Sequence, residues 1–209
     1  SRRQRQMCIR DRDLNQQKGT LRAYYASVSF VDALVGKILG ALETTGQRDN
    51  TIVIFTSDHG YHLGEHDLWQ KVSIHEESAR VPLIICVPGK KTAVCHSLSE
   101  LIDLYPTVSQ LCGLKIPGNI QGKDISIMFD DPTVKVRDAA LSSGKGRLLR
   151  TEKWALLDYG KKGELYDMEK DPKQYENLFE KPEYAETLVM LKEKLKAKLN
   201  EMEKHDLYL

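Results

Sequence analysis

Two short apolar runs on either side of a long polar loop constrain the fold of this chain more than any other feature. Residues 51–56 (TIVIFT) and 81–87 (VPLIICV) are aliphatic and rich in β-branched side chains. Such runs predict strands buried on both faces, and Pro82 places the start of the second near an edge or a bulge. Before them, residues 21–42 repeat apolar side chains at helical spacing and Gly46 follows, which predicts an amphipathic helix packed on a core. Together these elements predict half of an α/β layered domain.

The rest of the chain predicts a smaller, second region. A strand is expected near residues 97–102, and Asp103 is expected to cap the helix that follows. Turn residues separate four further apolar segments, which predict antiparallel strands at residues 139–142, 147–150, 154–158 and 164–167. Residues 183–204 place Leu on one side of a charged sequence and predict a C-terminal amphipathic helix.

These elements predict an α/β fold that is divided into two parts. Residues 13–118 form the partial layered domain, and residues 119–209 form an α+β C-terminal subdomain with an antiparallel sheet and a C-terminal helix. Residues 1–12 are excluded, because they hold five Arg against one Asp and show no apolar periodicity. We interpret them as a non-native, artefactual segment, with a nucleic-acid-binding arm or a targeting segment as alternatives.

Composition excludes several classes of partner. The formal net charge is +1, so no general basic surface indicates nucleic acid. No run reaches the ~18–20 continuous apolar residues that span a bilayer, so no transmembrane segment is predicted. Four cysteines are too few for a disulfide scaffold and do not fix the compartment.

The loop between the two predicted strands, residues 57–71 (SDHGYHLGEHDLWQK), holds the candidate metal ligands. Asp58 and His59 are adjacent, and Gly60 allows the sharp turn that both side chains need to reach one ion. A hard divalent cation takes carboxylate oxygen readily and imidazole nitrogen less readily. The alternative is a simple turn in which Asp58 accepts hydrogen bonds from local backbone amides.

Lys71 and three histidines are further candidates in and near this loop. The Lys71 ammonium is placed to reach an oxyanion beside the metal, although a surface lysine is the alternative. His62, His66 and His75 are candidates for general acids because histidine titrates near neutrality. Most loop histidines are neither ligands nor catalysts, so none of the three is assigned a role.

The loop together with residues 75–89 (HEESARVPLIICVPG) resembles the sulfatase family of the alkaline phosphatase-like superfamily, most closely its iduronate-2-sulfatase-like branch. Three other segments resemble that family in the same order along the chain: 22–39 (RAYYASVSFVDALVGKIL), 99–114 (SELIDLYPTVSQLCGL) and 164–178 (ELYDMEKDPKQYENL). Several independent segments in one order make chance similarity improbable. The resemblance covers about residues 20–180.

The resemblance implies an alkaline phosphatase-like layered fold for residues 13–118. It also implies a metal-dependent sulfuric ester hydrolase that acts on a sulfated carbohydrate. Asp58 and His59 match metal ligands of the family, with Ca²⁺ as the expected ion and Mg²⁺ as the alternative, and Lys71 matches its sulfate-contacting lysine. The family's nucleophile, a formylglycine within C/S-x-P-x-R, and its upstream Asp pair do not occur in this sequence. The chain alone is therefore predicted to be an inactive fragment. Export to a periplasmic, secreted or lysosome-like compartment is implied.

Residues 86–90 (CVPGK) imitate the nucleophile motif and are rejected. Cys86 falls inside a predicted buried strand, after the loop rather than before it, and Lys90 replaces the arginine. We expect Cys86 to be a small buried hydrophobic residue.

Two alternative functions remain open on the sequence. A phosphonate or phosphodiester hydrolase of the same superfamily would share the metal ligands, and the missing nucleophile would discriminate it from a sulfatase. A noncatalytic remnant that binds sulfated glycan is the second alternative.

Overall fold

A computed structural model describes residues 13–71 and 73–203, and it forms two compact units. Unit 1 comprises the described residues up to 71 together with Arg80–Lys90. Unit 2 comprises Ser73–Ala79 together with the described residues from Lys91 onward. The predicted domain boundary after residue 118 lies inside unit 2, and the segment 1–12 lies outside the described residues.

Unit 1 begins with helix α1, Leu14–Thr44. Asp13 is its N-cap, and Gly46 adopts a left-handed φ of 65° just beyond its end. The predicted helix is confirmed and is longer at both ends. The expected packing on a core is wrong for the described residues, because none of the α1 residues is buried and its apolar side chains, such as Val31 and Ile38, are exposed.

Helix α1 also bears on the expected absence of a transmembrane segment. By length and composition it is apolar enough to cross a membrane, with a mean hydropathy of 1.4 over its most apolar stretch. A signal sequence near the N-terminus and the core helix of a soluble protein meet the same criterion, although a core helix is mostly buried and α1 is not, so a single helix of this kind is weak evidence for a membrane span. It is the one such candidate among the described residues.

Two strands of unit 1 form an antiparallel pair. Strand β1, Val53–Thr56, pairs with β4, Leu83–Cys86, so that Val53 lies opposite Cys86. Both predicted strands are confirmed, in shorter form. They are not buried on both faces within the described residues, since Ile84 is 57% exposed. The expected burial of Cys86 is likewise wrong, because the structure leaves this thiol exposed.

Two further strands of unit 1 lie in the loop between β1 and β4. They are the antiparallel strands β2, His62–Leu63, and β3, Trp69–Gln70, joined through the 3-10 helix Glu65–Asp67. Another 3-10 turn, Arg48–Asn50, links α1 to β1.

Unit 2 is built on a four-stranded antiparallel sheet in chain order. Its strands are β5 Ala140–Ser143, β6 Arg147–Arg150, β7 Trp154–Asp158 and β8 Gly163–Asp167. Its α-helices are α2 Glu76–Ala79, α3 Leu104–Leu111 and α4 Ala185–Glu203. Its 3-10 helices are Leu101–Asp103, Ser126–Phe129 and Pro182–Tyr184. The sheet and the C-terminal helix confirm the predicted fold of this region.

The strand predicted near residues 97–102 is wrong. This stretch contains no strand and ends in the 3-10 helix Leu101–Asp103. The reason is a local hydrogen-bond exchange: Glu100 N donates to Asp103 Oδ2 at 2.8 Å, and Asp103 N donates to Glu100 O at 2.9 Å. These bonds close a helical turn and compete with strand pairing.

The alternation of side chains along the sheet gives unit 2 two apolar layers. On one face, strand residues pack with α4 in a buried cluster of Ala139, Leu149, Leu156, Leu165, Leu178, Leu191 and Leu195. On the other face, a second buried cluster contains Ile74, Leu148, Ala155, Leu157, Tyr166 and Met168. Ile74 is far from the sheet in sequence, so residues 73–79 supply part of this second layer.

A buried ionic cluster ties together distant parts of unit 2. Arg137 donates from Nε to Asp103 Oδ2 at 2.7 Å, contacts Asp103 Oδ1 through Nη2, and lies 3.0 Å from Glu100 through Nη1. Asp103 is fully buried and also accepts from Lys123 N at 2.7 Å. Asp103 stands before α3 as predicted, but its carboxylate binds these partners and makes no capping hydrogen bond to that helix.

Candidate functional site

The polar loop of unit 1 is held in an unusual backbone conformation. His66, Asp67 and Gln70 all have positive φ, at 55°, 57° and 72°. Each such non-glycine residue costs on the order of 1–3 kcal/mol, so the surrounding contacts must fix it. Those contacts include the buried Trp69 ring, and Glu65 Oε2, which accepts from the backbone of the loop at 2.6 Å. Strain of this kind clusters at functional sites, which directs attention to this loop.

Asp58 and His59 lie at the carboxyl end of β1 and contact each other. Asp58 Oδ1 accepts from His59 N at 3.0 Å, which is the local backbone contact expected of a simple turn. The other oxygen, Oδ2, lies 3.4 Å from His59 Nε2. That separation suits two ligands of one cation, which binds oxygen ligands at about 2.3–2.6 Å. The Asp58 side chain is 81% exposed, so it is accessible to an ion.

The hydrogen bond of His59 selects its tautomer. His59 Nδ1 lies 2.8 Å from the carbonyl oxygen of Gly60. Because a carbonyl oxygen only accepts, Nδ1 carries the proton in this contact. The neutral ring then presents the Nε2 lone pair on the side of Asp58. A second hydrogen bond of this type commonly orients metal-binding histidines.

The two residues form an incomplete ligand set. Among residues 13–71 and 73–203, no group of three or more His, Cys, Asp or Glu side chains is arranged to hold a metal ion. Calcium takes six to eight oxygen ligands, and magnesium takes about six in octahedral geometry. The donor chemistry of Asp58 and His59 therefore fits a divalent cation, but these residues supply only two of the ligands.

Lys71 and His62, two further candidates from the sequence, differ in their exposure to solvent. Lys71 directly follows β3 and is exposed, and the described residues provide no hydrogen bond or ion pair that joins it to Asp58 or His59. His62 is fully buried, with its ring 6.0 Å from that of His66 in an edge-to-face arrangement. These positions leave Lys71 available to an anion and make His62 inaccessible as a general acid.

His75 belongs to a buried polar chain in unit 2 rather than to the loop. Its Nε2 atom lies 2.8 Å from Glu164 Oε2, and the Tyr166 hydroxyl donates to the same oxygen at 2.7 Å. Sequence reasoning missed Glu164 and Tyr166, because no local pattern links residues 89 positions apart. The position of His75 explains it as a structural residue instead of a general acid.

We predict that alkaline pH weakens unit 2 through its tyrosines. Burial, and then the hydrogen bond to Glu164, raise the pKa of Tyr166 above its ordinary value of 10.0, and burial raises the pKa of Tyr159 to about 12. The folded state therefore binds the tyrosine protons more tightly than the unfolded state does. The free energy of unfolding is unaffected below about pH 10 and falls as the pH rises through the pKa values of the folded state. The melting temperature should fall from pH 10 to 12.

A buried and an exposed tyrosine variant separate the contribution of Tyr166 from that of other tyrosines. Tyr166→Phe is expected to make the decline between pH 10 and 12 shallower, since one raised tyrosine no longer titrates. Tyr105→Phe serves as the control because Tyr105 is exposed. An equally steep decline in the Tyr166→Phe variant would contradict the prediction.

Two known protein families match this chain. The Sulfatase family matches residues 2–114, which is more than half of the chain and includes the whole polar loop. The family described as N-sulphoglucosamine sulphohydrolase, C-terminal, matches residues 64–203. The chain belongs to the sulfatase family. The predicted resemblance is thereby confirmed at family level, whereas the iduronate-2-sulfatase-like branch stays a prediction.

Curated sulfatases are similar over most of this chain. An arylsulfatase of Clostridium perfringens is 32% identical over an aligned length of 204 residues, and the match covers 88% of this chain and 42% of that protein. An N-acetylglucosamine-6-O-sulfatase of Bacteroides thetaiotaomicron is 33% identical over an aligned length of 183 residues, and the match covers 79% of this chain and 33% of that protein. This sulfatase chain thus spans well under half the length of these relatives.

Solved structures share the fold. One sulfatase, described in complex with its substrate D-glucosamine-2-N,6-O-disulfate, has a TM-score of 0.76 at 32% identity, over 88% of this chain and 41% of that chain. The phosphonate monoester hydrolase of Agrobacterium radiobacter has a TM-score of 0.75 at 25% identity, over 86% and 41%. The predicted alkaline phosphatase-like fold is confirmed.

Proposed function

We propose that this chain is part of a hydrolase of sulfate esters that acts on a sulfated carbohydrate. The observation that carries the proposal is the pairing of Asp58 Oδ2 with His59 Nε2, 3.4 Å apart, in a loop that the Sulfatase family covers. The substrate class is supported by the D-glucosamine disulfate bound to one structural relative and by the N-acetylglucosamine-6-O-sulfatase activity named for another protein.

In this proposal Asp58 and His59 bind a divalent cation, Ca²⁺ first and Mg²⁺ as the alternative. The Asp58 carboxylate is exposed, and the Gly60 carbonyl holds His59 in the tautomer that leaves Nε2 available. A bound cation polarises sulfate oxygens as a Lewis acid. Further ligands are required, because the described residues provide only this pair.

Lys71 is proposed to contact the sulfate group. Its flexible stem and exposed ammonium suit an anionic ligand, and the residue just before it, Gln70, has a positive φ of 72°. A positive charge at this place would offset the negative charge that builds on the leaving oxygen. The nucleophile, a formylglycine by resemblance, is proposed to come from a segment outside these 209 residues.

The test is an assay of the open reading frame read through its upstream region. That protein should hydrolyse sulfate monoesters, and Lys71→Ala should lower kcat/KM by about 10²–10³-fold, the usual loss when one group that stabilises developing charge is removed. Lys71→Arg should lose less because it keeps the charge. Lys115→Ala, at an exposed lysine of unit 2, is the control. Full activity of Lys71→Ala would overturn the assignment.

A phosphonate or phosphodiester hydrolase is the second candidate, favoured by the fold shared with the Agrobacterium enzyme. The same preparations should be assayed with a sulfate monoester and a phosphonate monoester of one leaving group. A higher kcat/KM for the sulfate supports the sulfatase proposal, and the reverse order supports the phosphonate hydrolase. Binding of sulfated glycan without turnover of either ester would indicate a noncatalytic remnant.

A further inference from the structure

A tyrosine of helix α1 contacts the loop that carries the proposed metal ligands. The rings of Tyr24 and Tyr61 lie 5.3 Å apart between their centroids, with an angle of 33° between their planes. This separation falls in the range of favourable aromatic pairs, about 4.5–7 Å. Both residues are half-buried, and both belong to unit 1. The contact therefore joins α1 to the loop within one compact unit.

The peptide group between Gly60 and Tyr61 links this contact to His59. His59 Nδ1 lies 2.8 Å from the carbonyl oxygen of Gly60. That carbonyl and the backbone nitrogen of Tyr61 belong to one planar peptide group, which rotates as a unit. A contact that fixes Tyr61 therefore restricts the direction of the Gly60 carbonyl and, through it, the orientation of the His59 ring.

The backbone on either side of this peptide group is held by contacts within the loop. His62 is fully buried and lies opposite Gln70 in the pairing of β2 with β3. On the other side, Ser57 Oγ donates to His59 O at 2.8 Å. The Tyr24 ring adds a contact from outside the loop to these local contacts.

We propose that Tyr24 is a positioning residue for the metal ligand His59. In this proposal Tyr24 contacts neither the cation nor the substrate. It packs on Tyr61 and so keeps the Gly60 carbonyl against His59 Nδ1, which leaves Nε2 on the side of Asp58. The inference rests on the proposed role of Asp58 and His59 in metal binding. It assigns α1 a part in ordering the site.

The rival explanation is that the ring pair stabilises unit 1 as a whole and has no selective effect on the turn at His59. The two explanations differ in where the loss of the Tyr24 ring has its effect. A merely structural ring lowers the melting temperature and loosens the loop and the β1–β4 pair alike. A positioning ring loosens residues 58–63 by more than it loosens β1 and β4, and it changes the tautomer of His59.

The experiment compares Tyr24→Leu with Phe30→Leu in the full 209-residue chain. Phe30 lies on the same helix and is 66% exposed, so it is a matched control for the loss of an aromatic ring. Hydrogen exchange of residues 58–63, of β1 and of β4 is measured by mass spectrometry, together with the melting temperature. The ¹⁵N chemical shifts of the His59 ring, assigned with His59→Gln, report the tautomer of the neutral ring.

We expect Tyr24→Leu to raise exchange in residues 58–63 roughly three- to tenfold, the effect of one lost aromatic pair, and to change β1 and β4 by less than about twofold. The Nδ1-protonated tautomer of His59 should become less populated. Tyr24→Phe keeps the ring and should match the parent. Equal loop exchange in Tyr24→Leu and Phe30→Leu, a parallel rise in β1 and β4, or an unchanged His59 tautomer overturns the proposal.

A second variant covers failure of Tyr24→Leu to fold and tests the route through Tyr61. Tyr61→Leu removes the same contact from the loop side and is read in the same way. The double variant should show loop exchange close to that of the more affected single variant, because residues that act through one contact do not contribute additively. Effects that multiply in the double variant would show that Tyr24 acts by another route and would overturn the proposal.

Calcium affinity provides a further readout in the hydrolase read through its upstream region. Tyr24→Leu should raise the Kd for Ca²⁺, measured by calorimetry, about tenfold, as the loss of a group that orients a metal ligand does. Tyr24→Phe and Phe30→Leu should stay within about twofold of the parent. An unchanged Kd in Tyr24→Leu overturns the positioning role alone. No Ca²⁺ binding by the parent would instead overturn the proposed metal site, while the exchange and tautomer results, which need no metal, would stand.

Discussion

Replacing Asp103 by alanine is expected to lower the free energy of unfolding of unit 2 by about 3–5 kcal/mol, the usual cost of breaking a buried ion pair from one side. Asp103 is 0% exposed and accepts from Arg137, Glu100 N and Lys123 N. Its removal leaves the buried Arg137 guanidinium with Glu100 as its remaining carboxylate partner and leaves two backbone donors without their acceptor. Urea unfolding followed by circular dichroism measures the change.

Asp138→Ala is the matched control for that experiment. Asp138 also forms an ion pair, with Lys194 at 2.6 Å, but its side chain is 78% exposed. An exposed pair is worth roughly 0–1 kcal/mol because water solvates both charges and salt screens them. If Asp103→Ala and Asp138→Ala shift the urea midpoint by the same amount, the buried cluster does not have the importance assigned to it.

Replacing Leu156 by alanine is expected to lower the free energy of unfolding by about 2–5 kcal/mol. Leu156 is fully buried at the centre of β7, where it lies opposite Leu149 on one side and Leu165 on the other, in the layer that packs against α4. Truncation removes apolar contacts and leaves a cavity that two flanking strands cannot close. The loss should appear in the urea midpoint with little change in the m-value.

Val189→Ala provides the comparison on α4. Val189 is exposed, so its truncation should change the free energy by no more than about 0.5 kcal/mol. A Leu156→Ala variant as stable as Val189→Ala would mean that the sheet and α4 do not form the packed layer described above.

The elements that the sequence predicted correctly are those with local signals. Strands β5 to β8 follow from apolar runs separated by turn residues such as Gly160, which adopts a φ of 86°. The failed strand near residues 97–102 has the composition of a strand, but the hydrogen bonds between Glu100 and Asp103 turn its end into a helical turn. A local side-chain bond of this kind overrides strand propensity.

In the candidate site and in the contacts of residues 73–79, too, pairs that are close in sequence could be predicted and distant pairs could not. Asp58 and His59 are neighbours in sequence, so their pairing could be predicted, and their roles as ligands stay predictions. Glu164 contacts His75 across 89 residues and Gln174 contacts Glu76 across 98 residues, and a single sequence contains no signal for such pairs. The burial expected for α1, β1 and β4 could not be judged from apolar pattern alone, because pattern shows which face is apolar and not what covers it.

Unit 2 is formed by two separate stretches of the chain, which limits how chimaeras of this protein with a relative can be joined. Because Ser73–Ala79 belongs with the chain from Lys91 onward, a chimaera joined at a single crossover after residue 90 would combine residues 73–79 of one parent with the sheet of another. His75 and Glu76 would then contact residues of the other parent at the positions of Glu164 and Arg150. An exchange of C-terminal regions therefore requires two grafts, one of seven residues and one of the terminal region, transferred together.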